Sequence, residues 1–263
     1  MTSEQLATAA PSPPPATANP PDGTAALVAQ AAVKVYGRGD TEVRALDGID
    51  VSIEKGRFTA IMGPSGSGKS TLLHCLAGLD TLTSGRIWIG DVDITALDEK
   101  HLTLLRRVRV GFIFQSFNLV PTLSAADNIT LPLDIAGKPV DREWFDAVIG
   151  VLSLKPRLRH RPSELSGGQQ QRVAAARALL SRPDIIFADE PSGNLDSRAS
   201  GELLGLLKTA VQRYGQTIVL VTHDANAAVF AERVIFLADG HIVQELTDPT
   251  VDGVLGVMKT LGG

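Results

Sequence analysis

The sequence predicts an α/β fold built on a parallel sheet, with a β-rich segment ahead of it and a helical lobe inserted into it. Three observations carry this reading. The apolar run Phe58–Met62 enters a glycine-rich turn, Gly63 to Thr71, and leaves it on a helix-like run of Leu72, Leu73, Leu76 and Ala77. Two further apolar runs, Asp184–Ala188 and Thr217–Val221, flank Ser200–Tyr214, whose Leu203, Leu204, Leu207 and Val211 share one helical face. Such a segment is a crossover between parallel strands. Residues 116 to about 165 interrupt the alternation with helix-like, proline-punctuated sequence and read as an insertion.

The 263 residues, 44% of them hydrophobic, suffice for one sizeable core with a lobe. A formal charge of -4 leaves no basic surplus to coat a nucleic-acid backbone, so no nucleic-acid partner is expected. Cys75 is the only cysteine. That excludes an intramolecular disulfide and fits a reducing compartment. No stretch reaches the roughly 20 consecutive apolar residues that span a bilayer, so the chain is expected to be soluble or peripheral.

Residues 1–26 carry Pro11, Pro13, Pro14, Pro15, Pro20 and Pro21, with Glu4 and Asp22 as the only charged side chains. This composition cannot build a core and reads as a disordered or polyproline-like tail. Without Lys, Arg or an apolar core it does not resemble a targeting peptide. The folded domain is expected to span 27–263. Its first strands are Leu27–Val35 and Ile49–Ile53, broken by Gly37, Gly39, Gly48 and Gly56. Tyr36 ends the first run, where it serves packing or, beside a phosphate loop, stacks on an adenine face.

The turn has the spacing G-x-x-x-x-G-K-S. Gly63 and Gly68 permit φ > 0 and bend the loop Gly63, Pro64, Ser65, Gly66, Ser67, Gly68 until its N–H groups converge on one anion. The loop feeds a helix N-terminus at Lys69, Ser70 and Thr71, whose bare amides add to the pull on phosphate. Lys69 is expected to reach the β- and γ-phosphates, and Ser70 to ligate Mg²⁺ through its hydroxyl.

Downstream, Arg86–Ile94 reads as paired strands and Lys100–Arg107 as a short helix. Val110–Gln115 reads as a buried strand ending in an amide. That amide is either a surface residue or a side chain that touches the Mg²⁺ or the attacking water. Ala125–Leu133 reads as a helix, and Asp141 as the cap of another that buries Phe145, Val148, Ile149 and Leu152. Leu165–Arg172 opens the helix Val173–Leu180. Ser166 and Gln169 match a capping box, which needs no ligand, while Gly167 and Gly168 expose amides to which an anion can bind.

The strand Asp184–Ala188 runs into Asp189 and Glu190, at the strand end where open α/β sheets bind ligands. Asp189 is the candidate metal-side acid, as on the corresponding strand of P-loop enzymes. Glu190 is the candidate acceptor of a proton from water. His223, ending Thr217–Val221 in the same alternation, can hydrogen-bond a γ-phosphate. His74, His101, His160 and His241 have no comparable context. Strands Val234–Leu237 and His241–Glu245 and a terminal helix near Val251–Leu261 complete the fold.

Taken in order, GPSGSGKST, Gln115, LSGGQQQR, IIFADE with PSGNLD, and the histidine of VTH closely resemble the ATP-binding cassette (ABC) ATPase family, from about residue 27 onward. The resemblance implies a RecA-like P-loop NTPase core with an antiparallel β subdomain and a helical lobe at about 116–165. It implies hydrolysis of ATP with Mg²⁺ by two copies facing head to tail, each ATP lying between the phosphate loop of one and Ser166, Gly167, Gly168 and Gln169 of the other. It assigns Tyr36 to adenine stacking, Gln115 to a lobe-coupled loop, Glu190 to the general base, His223 to the γ-phosphate and Gly193–Asp196 to the link between sites. The catalytic set is then Lys69, Gln115, Glu190 and His223, with Ser70, Gln115 and Asp189 toward the metal.

Within the family, GPSGSGKSTLLHCLAGLD, FQSFNLVPTLSAADNI and ADEPSGNLD are most similar to the lipoprotein-releasing and macrolide-export branch, which includes the cell-division FtsE type. That branch implies an integral membrane permease as partner and a place on the cytoplasmic face of the membrane. Phe117, Asn118, Leu119 and Pro121 fall where the family docks a permease helix, and Phe117, Leu119 and Val120 are expected to be exposed. Two uses of the cycle follow: export or lipid and lipoprotein extraction, or transmission of motion to a cell-wall enzyme. A soluble role in translation or repair is a third, against which the single cassette counts.

Overall fold

The computed structural model describes residues 23–262. Its centre is a six-stranded sheet formed by β3 (Phe58–Met62), β6 (Val110–Phe114), β7 (Ile185–Asp189), β8 (Ile218–Val221), β9 (Arg233–Ala238) and β10 (His241–Thr247). The order is β10-β9-β3-β8-β7-β6, parallel except for β10. These parallel strands are nearly continuous apolar runs because both faces are covered. Phe58, Ala60 and Met62 face one core with Ile186, Ala188, Ile218 and Leu220, whereas Ile61 faces another with Phe187, Val219 and Ile235.

The second core lies under a four-stranded antiparallel sheet, ordered β2-β1-β4-β5, of β1 (Ala25–Tyr36), β2 (Val43–Glu54), β4 (Ser84–Ile89) and β5 (Val92–Asp93). Helix α1 (Lys69–Leu76) is packed between the sheets, with Leu72, Leu73, Cys75 and Leu76 buried. Burial pushes the Cys75 thiol up to about 12. Strand β1 begins two residues before the expected boundary: Ala25 and Ala26 are 4% and 1% exposed and belong to the sheet. The rest of the proline-rich stretch, residues 1–22, lies outside the described residues.

After α2 (Glu99–Arg109) and β6, residues 116–165 contain α3 (Ala125–Ile135), α4 (Arg142–Val151) and short 3₁₀ turns. Ser124 and Asp127 form a capping box at the start of α3, which continues through Pro132. Asp141 caps α4 by accepting from Trp144 N–H, as the sequence predicts. Both helices pack on α5 (Gly167–Leu180), which Ser166 caps through the capping box with Gln169 that the sequence predicts. Asn128, fully buried, accepts from Val120 N–H and donates to the carbonyls of Val120, Leu123 and Ser124, pinning the segment that follows Gln115. That pinning corrects one expectation: Phe117, Leu119 and Val120 are half-buried, and Leu119 packs on the main core.

Helices α6 (Ser197–Tyr214), α7 (Ala225–Ala228) and α8 (Val251–Leu261) finish the fold. α6 buries Leu203, Leu204, Leu207 and Val211, the face its periodicity predicts, and ends at Gly215 in the left-handed region.

Candidate active site

Strand register brings the candidate residues to one edge of the sheet. Phe114 lies opposite Asp189, Asp189 opposite Val221, and Val221 opposite Ile61. Gln115, Glu190 and Thr222 therefore leave the sheet at one level, with Gly63 and His223 just beyond. This is the carboxyl edge, where open parallel sheets expose a crevice.

The glycine loop needs its glycines. A Cβ on Gly63 would lie 2.0 Å from Leu237 O, and one on Gly68, at φ +99°, would lie 2.3 Å from Ala45 O. Ser67 N–H donates to Pro64 O at 3.2 Å, and Gly240 N–H donates to Ser67 O at 3.1 Å, which ties the loop to the turn after β9. Gly68 precedes α1 and no side chain caps that helix, so its first amides are free to meet an anion. Ser65, Gly66 and Ser70 are exposed. Ser67 Oγ is buried without a hydrogen-bond partner, an orphan of the kind that a ligand satisfies.

Lys69 is folded over the loop, its Nζ donating to Gly63 O at 3.0 Å and Pro64 O at 2.8 Å. Burial lowers its pKa, opposed by the charges of Glu190 and Asp189. The same acids thus lie within electrostatic reach of the lysine. Burial raises the pKa of Asp189, with nearby Glu190 adding to the rise and His74 and Lys69 opposing it. His74, for which the sequence shows no context, therefore lies within electrostatic reach of Asp189; its i,i+4 spacing from Ser70 on α1 was the available signal.

Glu190 sits at φ +44°, in the left-handed region unusual for a side chain with a Cβ. Its N–H donates to Val221 O at 2.9 Å and its carbonyl accepts from Gly193 N–H at 3.0 Å. So held, it places Oε1 2.8 Å from His223 Nδ1. The carboxylate is half-buried and the imidazole mostly exposed.

Gln115 goes elsewhere. Its Nε2 donates to Asn194 Oδ1 at 3.4 Å, and Asn194 Nδ2 donates back to Gln115 O at 3.1 Å. Its side chain lies against Gly193, where a Cβ would come within 2.7 Å of Nε2. Gln115 thus engages the loop after the acid pair, and neither Ser70 nor Asp189 is among its hydrogen-bond partners.

Tyr36 is 42% exposed and its hydroxyl donates to Asp80 Oδ2 at 2.6 Å. Lys34, nearly buried, donates to Asp80 Oδ1 at 2.6 Å and Thr81 O at 2.6 Å, and its Nζ lies 4.8 Å from the centre of the Tyr36 ring. Burial and the Asp80 contact raise the Tyr36 pKa and keep the phenol neutral. The sequence reading missed Lys34 and Asp80; a lysine in an otherwise apolar strand was the only hint.

Ser166 and Gln169 form the complete capping box: Ser166 Oγ accepts from Gln169 N–H at 3.3 Å and Gln169 Oε1 accepts from Ser166 N–H at 3.0 Å. Gly167 neighbours Phe117, Leu195 and Asn194. No described hydrogen bond joins Ser166–Gln169 to the phosphate loop of the same chain. Among the described residues no group of three or more His, Cys, Asp or Glu is arranged to hold a metal.

What this edge can hold is a polyphosphate, and what it can do to one is move a proton; fold and site together define a P-loop nucleotide hydrolase. Comparison with known proteins narrows the class. The family model described as ABC transporter matches residues 46–193. A macrolide export ATP-binding/permease protein, MacB, of Hyphomonas neptunium is 48% identical over 214 residues, 81% of this chain and 33% of that protein. The chain thus spans about a third of such fused relatives. The bacitracin export ATP-binding protein BceA of Halalkalibacterium halodurans is 46% identical over 81% of this chain and 85% of its own length. Methanocaldococcus jannaschii MJ0796, an uncharacterized ABC transporter ATP-binding protein, is 43% identical over 81% of this chain and 93% of its own. The dimeric post-hydrolysis structure of MJ0796 with ADP and Pi superposes with a TM-score of 0.75, 40% identity, and coverage of 85% of this chain and 99% of that one. The chain belongs to the ABC transporter family, in which it is an ATPase domain.

Proposed function

We propose that two copies of this chain bind two ATP molecules head to tail and hydrolyse them to drive an export-type membrane permease. One observation carries the shared site: Ser166–Gln169 presents a glycine-bearing helix start whose bonds are all local, away from the phosphate loop of its own chain. A second copy supplies the missing half, and the dimeric relative MJ0796 supports that reading.

In this mechanism the loop amides and Lys69, released from Gly63 O and Pro64 O, hold the β- and γ-phosphates. Tyr36 stacks on the adenine. Glu190 accepts a proton from water as the water oxygen bonds to the γ-phosphorus and the β,γ-bridging oxygen leaves with its electron pair. His223 orients Glu190 and approaches the γ-phosphate. Hard oxygen donors suit Mg²⁺, and Ser70 and Asp189 would hold it; Gln115 joins them only on giving up Asn194. The ion, when bound, neutralises charge that develops on the phosphate oxygens.

The permease is proposed to dock in a cleft of about 350 Å³ between α2, β6 and α3, lined by Phe112, Phe114, Leu131, Pro132 and Ile135 with Arg106 at its rim. Ile135 is 62% exposed there. No helix among the described residues is long and apolar enough to cross a membrane, so attachment to the cytoplasmic face would come through this partner. The export-type relatives MacB and BceA favour export over other uses of the cycle. Ile135→Glu should release the chain from membranes that hold its permease while ATP binding in isolation survives. Retention of the variant on those membranes would place the contact elsewhere.

A further inference from the structure

At the opposite edge of the sheet, before the amino-terminal ends of β7 and β8, lies a second pocket of about 490 Å³. Its walls are Trp144 of α4, Tyr214 at the end of α6, and the loop residues Arg182, Pro183, Gly215 and Gln216. The two rings meet edge to face, 4.8 Å apart at 87°, and both line the pocket. Trp144 is fixed by an Nε1 hydrogen bond to Leu179 O at 3.3 Å, while Tyr214 is 39% exposed. Arg182, 4.9 Å from the Trp144 ring, is paired with Asp141 at 3.0 Å, so the cation at the rim already has its counter-ion. A rigid aromatic slot whose one cation is paired with Asp141, and whose other charged lining residue is Glu143, suits an apolar, preorganised segment without charge of its own.

The start of the described chain is next to this slot. Lys55 Nζ donates to Gly23 O at 2.8 Å, and Lys55 N–H donates to Thr24 O at 3.1 Å. The adjoining Gly56 abuts the pocket residue Gly215, where an added Cβ would lie 3.4 Å from Gly215 O. Before Gly23 come 22 residues with Pro11, Pro13, Pro14 and Pro15, and no charge between Glu4 and Asp22. At roughly 3.1 Å per residue for a polyproline helix, the eight steps from Gly23 back to Pro15 reach about 25 Å. Proline segments bind aromatic-lined grooves because the pyrrolidine faces stack on the rings and the fixed φ leaves little entropy to lose.

We propose that the Trp144–Tyr214 pocket binds the Pro11–Pro15 segment of the same chain. Because Trp144 belongs to the inserted lobe and Tyr214 to the sheet-bearing core, the docked segment ties the two together on the side away from the nucleotide.

The test uses a chain lacking residues 1–22 and a synthetic peptide covering Thr8–Asp22, with tryptophan emission as the readout. Trp88, the only other tryptophan, is 4% exposed and insulated from the event. The peptide should shift the emission saturably in the shortened chain. In the full chain, whose own segment acts at roughly millimolar effective concentration, it should bind at least tenfold more weakly. A peptide with Pro13, Pro14 and Pro15 all changed to Ala should lose at least tenfold in affinity, a comparison that requires no variant of the protein to fold. Tyr214→Ala in the shortened chain should lose the same. Equal binding by the alanine peptide, no response to either peptide, or equal binding by the full chain would overturn the proposal. Blocking of the full chain that appears only as its concentration rises would assign the pocket to the leader of a second copy and overturn the same-chain assignment.

Discussion

His223 Nδ1 lies 2.8 Å from Glu190 Oε1, although 33 residues separate them, because β7 and β8 are neighbours in register. The imidazole thus holds a carboxylate whose own backbone is locked at φ +44°. Glu190→Gln keeps the shape and removes the proton acceptor. Hydrolysis should fall by about 10²- to 10⁴-fold while ATP affinity stays within a few-fold. Phosphate release and nucleotide binding, measured side by side, check this; parental turnover by the variant would remove Glu190 from the mechanism.

If His223 acts by holding that carboxylate, His223→Ala should lower kcat and kcat/KM together, by at least roughly tenfold, or about 1.4 kcal/mol of barrier. A rise in KM alone would make His223 a binding residue instead.

Glu190→Gln with ATP and Mg²⁺ should accumulate as a dimer in light scattering. Adding Ser166→Arg places a long cation at the start of α5, where the capping box now lies exposed. The double variant should bind ATP and remain monomeric. A dimer would remove Ser166–Gln169 from the shared site.

Asp80 joins Lys34 and Tyr36, and removing its charge would leave the nearly buried Lys34 ammonium without its counter-ion. Asp80→Asn should cost about 1–3 kcal/mol of stability near neutral pH. Burial works to raise the Asp80 pKa, but the bonds from Lys34, Tyr36 and Thr81 outweigh it and hold the carboxyl below the ordinary aspartate value. The stabilisation is therefore complete above the unfolded value and is lost as pH falls through the lower folded one. Urea titrations from pH 7 downward should show the gap between parent and variant constant above about pH 5 and closing below about pH 4. A gap independent of pH would mean that the charge on Asp80 is not what matters.

Gly68→Ala forces a Cβ to within 2.3 Å of Ala45 O at a left-handed φ of +99°. The strain alone should cost about 1–3 kcal/mol, and ATP binding should be lost with the loop geometry. An alanine variant that binds ATP like the parent would show that the loop tolerates another shape.

Much of the fold was legible because the core strands are local patterns. Phe58–Met62 matches residue for residue, the expected Val110–Gln115 runs one residue past β6, and a terminal helix forms where one was expected, at Val251–Leu261. The misses have separate physical reasons. Ala25 and Ala26 carry little strand preference, and burial against the second core decides for them. The start of α5, by contrast, was legible: the capping box of Ser166 and Gln169 fixes it although a glycine pair lowers helix preference. Phe117 and Leu119 look like a free apolar run until Asn128 folds their segment back on the lobe. For the site, residue types and spacing named the phosphate loop and the acid pair. The Gln115–Asn194 and Tyr36–Asp80 bonds span 79 and 44 residues, and no local pattern encodes such distances.

Cys75, buried in α1 with its thiol pushed up to about 12, is chemically silent at neutral pH. Since the sequence has no other cysteine, the parent chain is already a clean background for site-directed labelling. A cysteine introduced at exposed Ser65 or Ser166 would be the sole reactive thiol of the folded chain. Probes at those two positions, on separate copies, would read the approach of one molecule to another directly as a distance.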